Sequence, residues 1–432
     1  MKKVLIIAHL LRASPRIPGL AKYLPESGWE PIVLTPAIEK DQNLRFGPSK
    51  DFVESGIRIV ETQYADTFDS LLIKKFGLNP VEGIEGHLKK RIGVTSKKSF
   101  VDFFLTLGRE ILWYPDRDKG WRKFAVKAGS ELLQNEDIEA IISSSPPVTS
   151  HIIAKELKNR YEIPWVADLR DLWSQNLNYT YGRLRKMIDK RLELKTLLPA
   201  DALVTVSQPL AEQLQMLHKG KATYAITNGF DPDKMSDGQG GLTSKFTITY
   251  TGQIYTGKQD PLKLLGALRD LISDGTMNPE DVEVRFYGPK YGWLAKEIEE
   301  YGLSNIVKQY GMIPHEVAFE KQRESQLLLL LNWEDEGGKG VYTLKIFEYL
   351  AAQRPILATG GSGEGVIKEL LDETKAGVYA PTVEDIKHIL RDIYLEYKSK
   401  GEISYRGNIE RINKYSYREM AKKFAEILDN RA

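Results

Sequence analysis

Short apolar runs separated by polar turns recur along the chain at the spacing of a parallel α/β protein. Residues 4–8 form the first run, 16–24 a helical pattern that stops before Gly28, and 31–34 the second run, which together make a β-α-β unit. A third run closes at Val60. The rhythm breaks over residues 62–125 and resumes with predicted strands at 138–142, 165–167, 202–206 and 224–227. Helical patterns at 148–159 and 184–197, and one more before the last strand, lie between them. Asn228, Gly229, Phe230, Asp231 and Pro232 read as a turn, and the polar, glycine-rich stretch after it marks a domain boundary. The second half repeats the alternation with strands at 246–250, 282–287, 306–310 and 327–331 and a helix at 261–273. It ends in long helical patterns at 383–400 and 417–428.

The most informative stretch is 326–361. Leu327 to Leu331 are apolar without interruption, as in a strand buried on both faces. A loop with Glu334, Asp335, Glu336, Gly337, Gly338 and Gly340 follows. Leu344, Phe347 and Leu350 then fall at helical spacing until Pro355 stops the helix and a new strand begins. Strand, glycine loop and helix start together form a place for an anion, because the first turn of a helix carries N–H groups without partners. Thr343 and Leu344 would offer those groups. Lys345 and Glu348, three apart, can face one crevice or form an ordinary surface pair.

Composition sets the outer limits. A chain of 432 residues is too long for one ordinary core, and the predicted division is 1–230, 231–412 and a terminal helix, 413–432, able to pack back on the first domain. The formal charge is +2, from 61 Lys and Arg against 59 Asp and Glu, so nothing points to nucleic acid. With no cysteine there is no disulfide, thiolate metal site or cysteine nucleophile. The N-terminal apolar segment is about five residues before His9, too short for a signal-peptide core and right for a first strand. No stretch reaches the roughly 18 apolar residues of a membrane span. A cytoplasmic protein is expected.

The break at 62–125 changes that picture in one respect. Between Leu71 and Phe124 twelve Lys and Arg stand against six acids, with Phe76, Phe100, Phe103, Phe104, Trp113, Tyr114, Trp121 and Phe124 interleaved. Basic residues among aromatics suit an anionic membrane surface at the inner face. They equally suit a helical insertion whose lysines lie over a core.

Two loops of the first half carry candidate chemistry. The loop after the first strand holds His9, Arg12, Ser14 and Arg16, and lacks the glycines of a dinucleotide fingerprint. Arg12 and Arg16 either face an anionic group or are solvated. The strand at 165–167 runs into Asp168, Leu169, Arg170, Asp171, Leu172 and Trp173, where α/β proteins bind ligands. Asp168, Arg170 and Asp171 are either near a reacting substrate or form a buried Arg–Asp pair that fixes the loop.

Taken in order, these motifs resemble family 4 of the retaining glycosyltransferases, with the two-Rossmann-domain architecture called GT-B. The resemblance spans nearly the whole chain. It rests on the first strand and helix closing at Lys22, Tyr23 and Leu24, the Asp168–Trp173 run, and Asn228–Asp231. In the second half it rests on Gly252 with Lys258 six residues on, Gly311 to Pro314, and Lys345 to Leu350. It implies a sugar transferred from a nucleotide diphosphate donor to a glycan or lipid-linked acceptor held by the first domain, in surface polysaccharide or glycoconjugate synthesis. The base would rest on the backbone near Gly311, Met312 and Ile313, and the ribose hydroxyls on Glu348. The diphosphate would rest on the amides of Thr343 and Leu344, with Gly252 and Lys258 beside it. A preorganised cation and a helix N-terminus stabilise a leaving diphosphate, so neither cofactor nor metal is expected. Asp171, Lys258 and Glu348 are the candidate catalytic groups, and Asp168 and Arg170 line the acceptor side.

Two positions depart from the family pattern. Gly340 stands where a donor-contacting glutamate is usual, and Gln253 where an arginine follows the first loop glycine. Glu336 in the neighbouring loop is the candidate replacement for the missing glutamate. The same departures keep two rivals open: a GT-B nucleotide-sugar epimerase, and a pseudoenzyme that binds a nucleotide sugar or glycan without transfer.

Overall fold

A computed structural model describes residues 1–10, 15–38, 52, 56–65, 113–235 and 241–431. The chain divides into two compact units, 1–226 with 421–432, and 227–420. Each holds one wholly parallel sheet covered by helices, the doubly wound pattern of GT-B proteins.

In the first unit the strands are β1 (Lys2–Ile7), β2 (Trp29–Pro36), β3 (Arg58–Thr62), β4 (Ile138–Ser145), β5 (Trp165–Leu169), β6 (Ala202–Thr205) and β7 (Thr223–Ala225). They lie in the order β3-β2-β1-β4-β5-β6-β7. The order reverses between β1 and β4, so ligands of such a sheet approach the loops after these strands. The serines 143–145, beyond the predicted strand at 138–142, continue β4 and pair with Ala167, Asp168 and Leu169. Small side chains suit a strand buried on both faces. The helix Arg122–Asn135 begins just where the sequence placed the end of an insertion, and packs Ala125, Val126 and Leu132 into the core.

In the second unit β8 (Phe246–Thr251), β9 (Val282–Tyr287), β10 (Val307–Gly311), β11 (Leu327–Leu331), β12 (Ile356–Thr359) and β13 (Gly377–Tyr379) take the order β10-β9-β8-β11-β12-β13. The five leucines of β11 explain themselves here. Leu327, Leu329 and Leu331 face one core cluster, and Leu328 and Leu330 face the other. Reversal falls between β8 and β11, which sends the loops 252–261 and 332–343 to the same edge.

The second unit begins at Thr227, and its first turn, Asn228 to Phe230, pairs with the chain before the last helix. The Phe230 N–H donates to the Tyr415 carbonyl at 3.2 Å, and the Tyr417 N–H to the Phe230 carbonyl at 2.8 Å. A Cβ on Gly229 would lie 2.7 Å from the Tyr415 oxygen, so only glycine allows this approach. The last helix, Tyr417–Asp429, starts in the second unit, and its residues from Ala421 count with the first. There Asp429 accepts hydrogen bonds from Lys2 Nζ at 3.0 Å and Trp29 Nε1 at 3.2 Å. Among the described residues no helix is long and apolar enough to cross a membrane.

Candidate functional site

The loops after β8 and β9 meet backbone to backbone. The Gly252 N–H donates to the Tyr287 carbonyl at 2.6 Å, and a Cβ on Gly288 would come within 2.1 Å of the Gly252 oxygen. Gly252 itself has φ +104° and lies against Lys345, whose Cε a Cβ would approach to 2.6 Å. Both positions therefore exclude a side chain. Gln253 contributes a carbonyl that accepts from Tyr250 Oη at 2.7 Å and Lys345 Nζ at 3.4 Å.

Lys258 closes this loop. Its carbonyl accepts from the Glu334 N–H at 2.9 Å, which ties the loop after β8 to the loop after β11, and its ammonium lies 5.1 Å from the Trp333 ring centre. The three loop acids are all engaged. Glu334 pairs with Lys263 at 2.8 Å and accepts from the Gly361 N–H at 3.1 Å. Asp335 accepts from the Gly338 N–H at 3.1 Å. Glu336 pairs with Lys339 at 2.7 Å on a side chain that is 78% exposed, and Lys339 also holds Glu364. Gly340, buried, ends the short 3-10 turn Glu336–Gly340.

The helix Leu344–Ala352 starts immediately beyond. Thr343 is its N-cap residue but does not cap it, and Thr343 Oγ1 is buried without a hydrogen-bond partner. The first-turn N–H groups at Thr343 and Leu344 thus keep their capacity for an acceptor. Lys345 Nζ lies 4.9 Å from the Tyr250 ring centre, and burial lowers its pKa to about 8 against the opposing pull of Glu348. One turn on, Glu348 Oε1 is 3.1 Å from His315 Nε2, and Oε2 accepts from Gln322 Nε2 at 3.3 Å. Gln322 also donates to Thr251 Oγ1 at 2.9 Å, so the carboxylate is braced from the end of β8. Its hydrogen bond to Glu348 raises the His315 pKa, and the pair is strongest with the imidazole protonated.

Gly311 ends β10 with φ +93°, and its carbonyl accepts from the Gly288 N–H at 3.0 Å. Met312, 58% exposed, and Ile313 follow it and lead to His315. Gly252, Gln253, Lys258, Gly311, Met312, Ile313, Thr343, Leu344, Lys345 and Glu348 therefore all lie on loops or a helix start at the carboxyl edge of this sheet. His315 and Gln322 were not singled out from the sequence. Their helix, His315–Arg323, has a weak apolar stripe that left it unread.

The first unit distributes its candidates differently. Arg16, expected to face an anion or solvent, is fully buried. Its Nε and Nη2 donate to the two oxygens of Asp168 at 3.1 and 2.9 Å, and Asp168 takes a third bond from Ser144 Oγ at 2.8 Å. This is a packing role for both residues. Arg170 donates to the carbonyls of Ser145 and Pro146 at 3.0 and 2.8 Å, fixing the turn after β4, and burial lowers its pKa. Asp171 alone of the three acceptor-side candidates is exposed. Arg12 lies outside the described residues.

A second polar cluster went unread. Asp118, which accepts from Tyr64 Oη at 3.0 Å, lies 3.5 Å from His9 Nε2 at the end of β1. Asp116 accepts from the Thr149 N–H and Oγ1 at 2.8 and 2.7 Å, and burial raises its pKa to about 6. Both acids were counted within the basic-aromatic segment. Most of that segment, 71–112, lies outside the described residues. In the described part Trp121 is wholly buried and donates to Thr62 Oγ1 at 2.7 Å, so it packs the core and meets no lipid.

A doubly wound sheet in each half and a switch-point site in the second define the GT-B fold, and solved structures share it over their full length. HepE from Anabaena, bound to UDP and glucose, matches at 13% identity and TM-score 0.62 over 100% of both chains. Sucrose-phosphate synthase from Thermosynechococcus elongatus matches at 13% identity and 0.60, over 100% of this chain and 99% of its own. A glycosyltransferase from Rickettsia africae matches at 14% identity and 0.62, over 99% and 98%. No protein-family model and no curated protein sequence matches the chain.

Proposed function

We propose that the chain is a retaining glycosyltransferase. It moves a sugar from a nucleotide diphosphate donor to a glycan or lipid-linked acceptor held by the first unit, in surface polysaccharide or glycoconjugate synthesis. The observation that carries this reading is the grouping at the carboxyl edge of the second sheet. An uncapped helix start, two lysines and a braced carboxylate stand beside the glycine-bearing end of β10. Each matches one part of a nucleotide sugar. Glu348 accepts two hydroxyl hydrogen bonds from a ribose, Met312 and Ile313 offer backbone to a base, and the helix start with Lys258 meets the diphosphate. The UDP held by HepE is of this class of ligand.

In transfer, the bond from the anomeric carbon to the diphosphate breaks and the acceptor oxygen takes that place on the same face, its proton passing to the departing diphosphate oxygen. The leaving group gathers negative charge, and fixed N–H groups and cations stabilise it without rearranging. In this reading Asp171 is the carboxylate that serves the acceptor on the first unit. Glu336 remains the candidate for the sugar hydroxyls that Gly340 cannot bind, once released from Lys339. The test is slow hydrolysis of UDP-, GDP- and ADP-sugars by the pure protein, followed by proton NMR before the free sugar equilibrates. An α-linked donor is expected to give the α sugar first. Release of the β sugar would contradict retention.

A further inference from the structure

Lys345 occupies an uncommon position for a lysine. Its chain end lies against Gly252, where a Cβ would come within 2.6 Å of Cε, and its ammonium reaches the Gln253 carbonyl and the face of Tyr250. The carboxylate nearest in sequence, Glu348, directs its oxygens to His315 and Gln322 instead. Among the described residues Lys345 forms no ion pair within 4 Å. Withdrawing an ammonium from water without a counter-charge is costly, so such a site either sheds its proton or receives an anion. The same helix start carries the partnerless Thr343 Oγ1 and uncapped N–H groups, which also call for an acceptor. Position 253 offers only glutamine there.

We infer that Lys345 is the cation that meets the donor diphosphate from below Gly252, supplying the charge that Gln253 lacks. This rests on the function proposed above. Two consequences follow from its surroundings. The groups facing it are Tyr250 on β8, the Gln253 carbonyl, and Glu348 one turn on, and of these only Glu348 is charged near neutral pH. Desolvation holds the free ammonium near a pKa of about 8, and an arriving diphosphate raises it. Binding therefore takes up a proton above that pH. Affinity is full below the pKa of the free form and declines as pH rises past it.

The experiment is titration calorimetry of the full chain with UDP, GDP and ADP and with each parent nucleoside, at about pH 7.5 and about pH 9.5. For the diphosphate that binds, Lys345→Met is expected to weaken affinity by about ten- to a hundredfold, the range for a charge-assisted contact. Nucleoside affinity should stay unchanged, and Lys345→Arg should retain more affinity than the methionine variant. In the wild type the diphosphate should weaken by roughly tenfold at the higher pH, and in Lys345→Met it should not. The nucleoside serves as the control for His315, whose loss of charge would weaken both ligands alike. Equal diphosphate binding by wild type and Lys345→Met overturns the inference, as does a parallel loss of diphosphate and nucleoside, the mark of a loop prop. If Lys345→Met does not fold, the wild type decides: pH-independent diphosphate affinity overturns the inference. Failure of the wild type to bind any diphosphate would instead remove the proposed function, and the inference with it.

Discussion

Asp168→Ala is expected to destabilise the first unit by about 3–5 kcal/mol, the cost of leaving a buried charge without its partner. Arg16 and Asp168 are both fully buried and joined by two hydrogen bonds. Once the carboxylate is gone, the guanidinium is left under the ring of Phe424, whose centre is 5.3 Å away, with two donors unmet. The pair ties the helix Arg16–Tyr23 to the end of β5, and Phe424 brings in the last helix. Arg16→Met combined with Asp168→Leu removes both charges and should recover much of the loss, since an apolar pair of similar volume often replaces a buried ion pair at little cost. Urea denaturation of the wild type and the two variants reads the effect. A loss below about 1 kcal/mol for Asp168→Ala would mean that the guanidinium finds water or another acceptor, and that the pair is not structural. Nucleotide affinity, proposed for the other unit, should be unaffected.

Lys258→Ala should lower transfer by about a hundred- to a thousandfold while leaving the fold intact. Its backbone ties the two loops through the Glu334 N–H, which donates to the Lys258 carbonyl, while the Lys258 N–H closes its own loop on the Tyr255 carbonyl. Truncation keeps those backbone bonds and removes the charge above Trp333. A charge needed mainly when the diphosphate departs affects turnover more than ground-state binding. Lys345 answers the same charge, so the effects of replacing both lysines should be less than additive in free energy. Activity within a few-fold of wild type in a folded Lys258→Ala variant would place this ammonium away from the diphosphate.

The alternation of apolar runs and helical patterns made both doubly wound sheets legible, because a strand covered on both faces needs an unbroken apolar run, as in β11. The weakly patterned pieces escaped. β13 is three residues long and opens on Gly377, against which a Cβ would meet the Ile356 oxygen at 2.1 Å. The helix His315–Arg323 buries only Gln322 among its residues, so it shows no stripe, and with it went the two groups that brace Glu348. The loop chemistry around Gly252, Lys258 and residues 343–348 was legible as motif. That Lys345 threads under Gly252 was not, since spacing along a helix says nothing of what lies across from it. Arg16 shows the opposite failure. An arginine in a loop after a first strand looks like an anion ligand, and only its partner across the sheet, Asp168, reveals a buried pair.

The measurement that bears most directly on the account is a thermal shift of wild type and Glu348→Ala with UDP, GDP and ADP. A ligand that binds the native state raises its melting temperature by mass action. One of these diphosphates is expected to raise the wild-type melting temperature, and to raise that of Glu348→Ala far less, because the ribose hydroxyls lose their acceptor. No shift with any of the three, or an equal shift in both proteins, would contradict a nucleotide-sugar site built on Glu348.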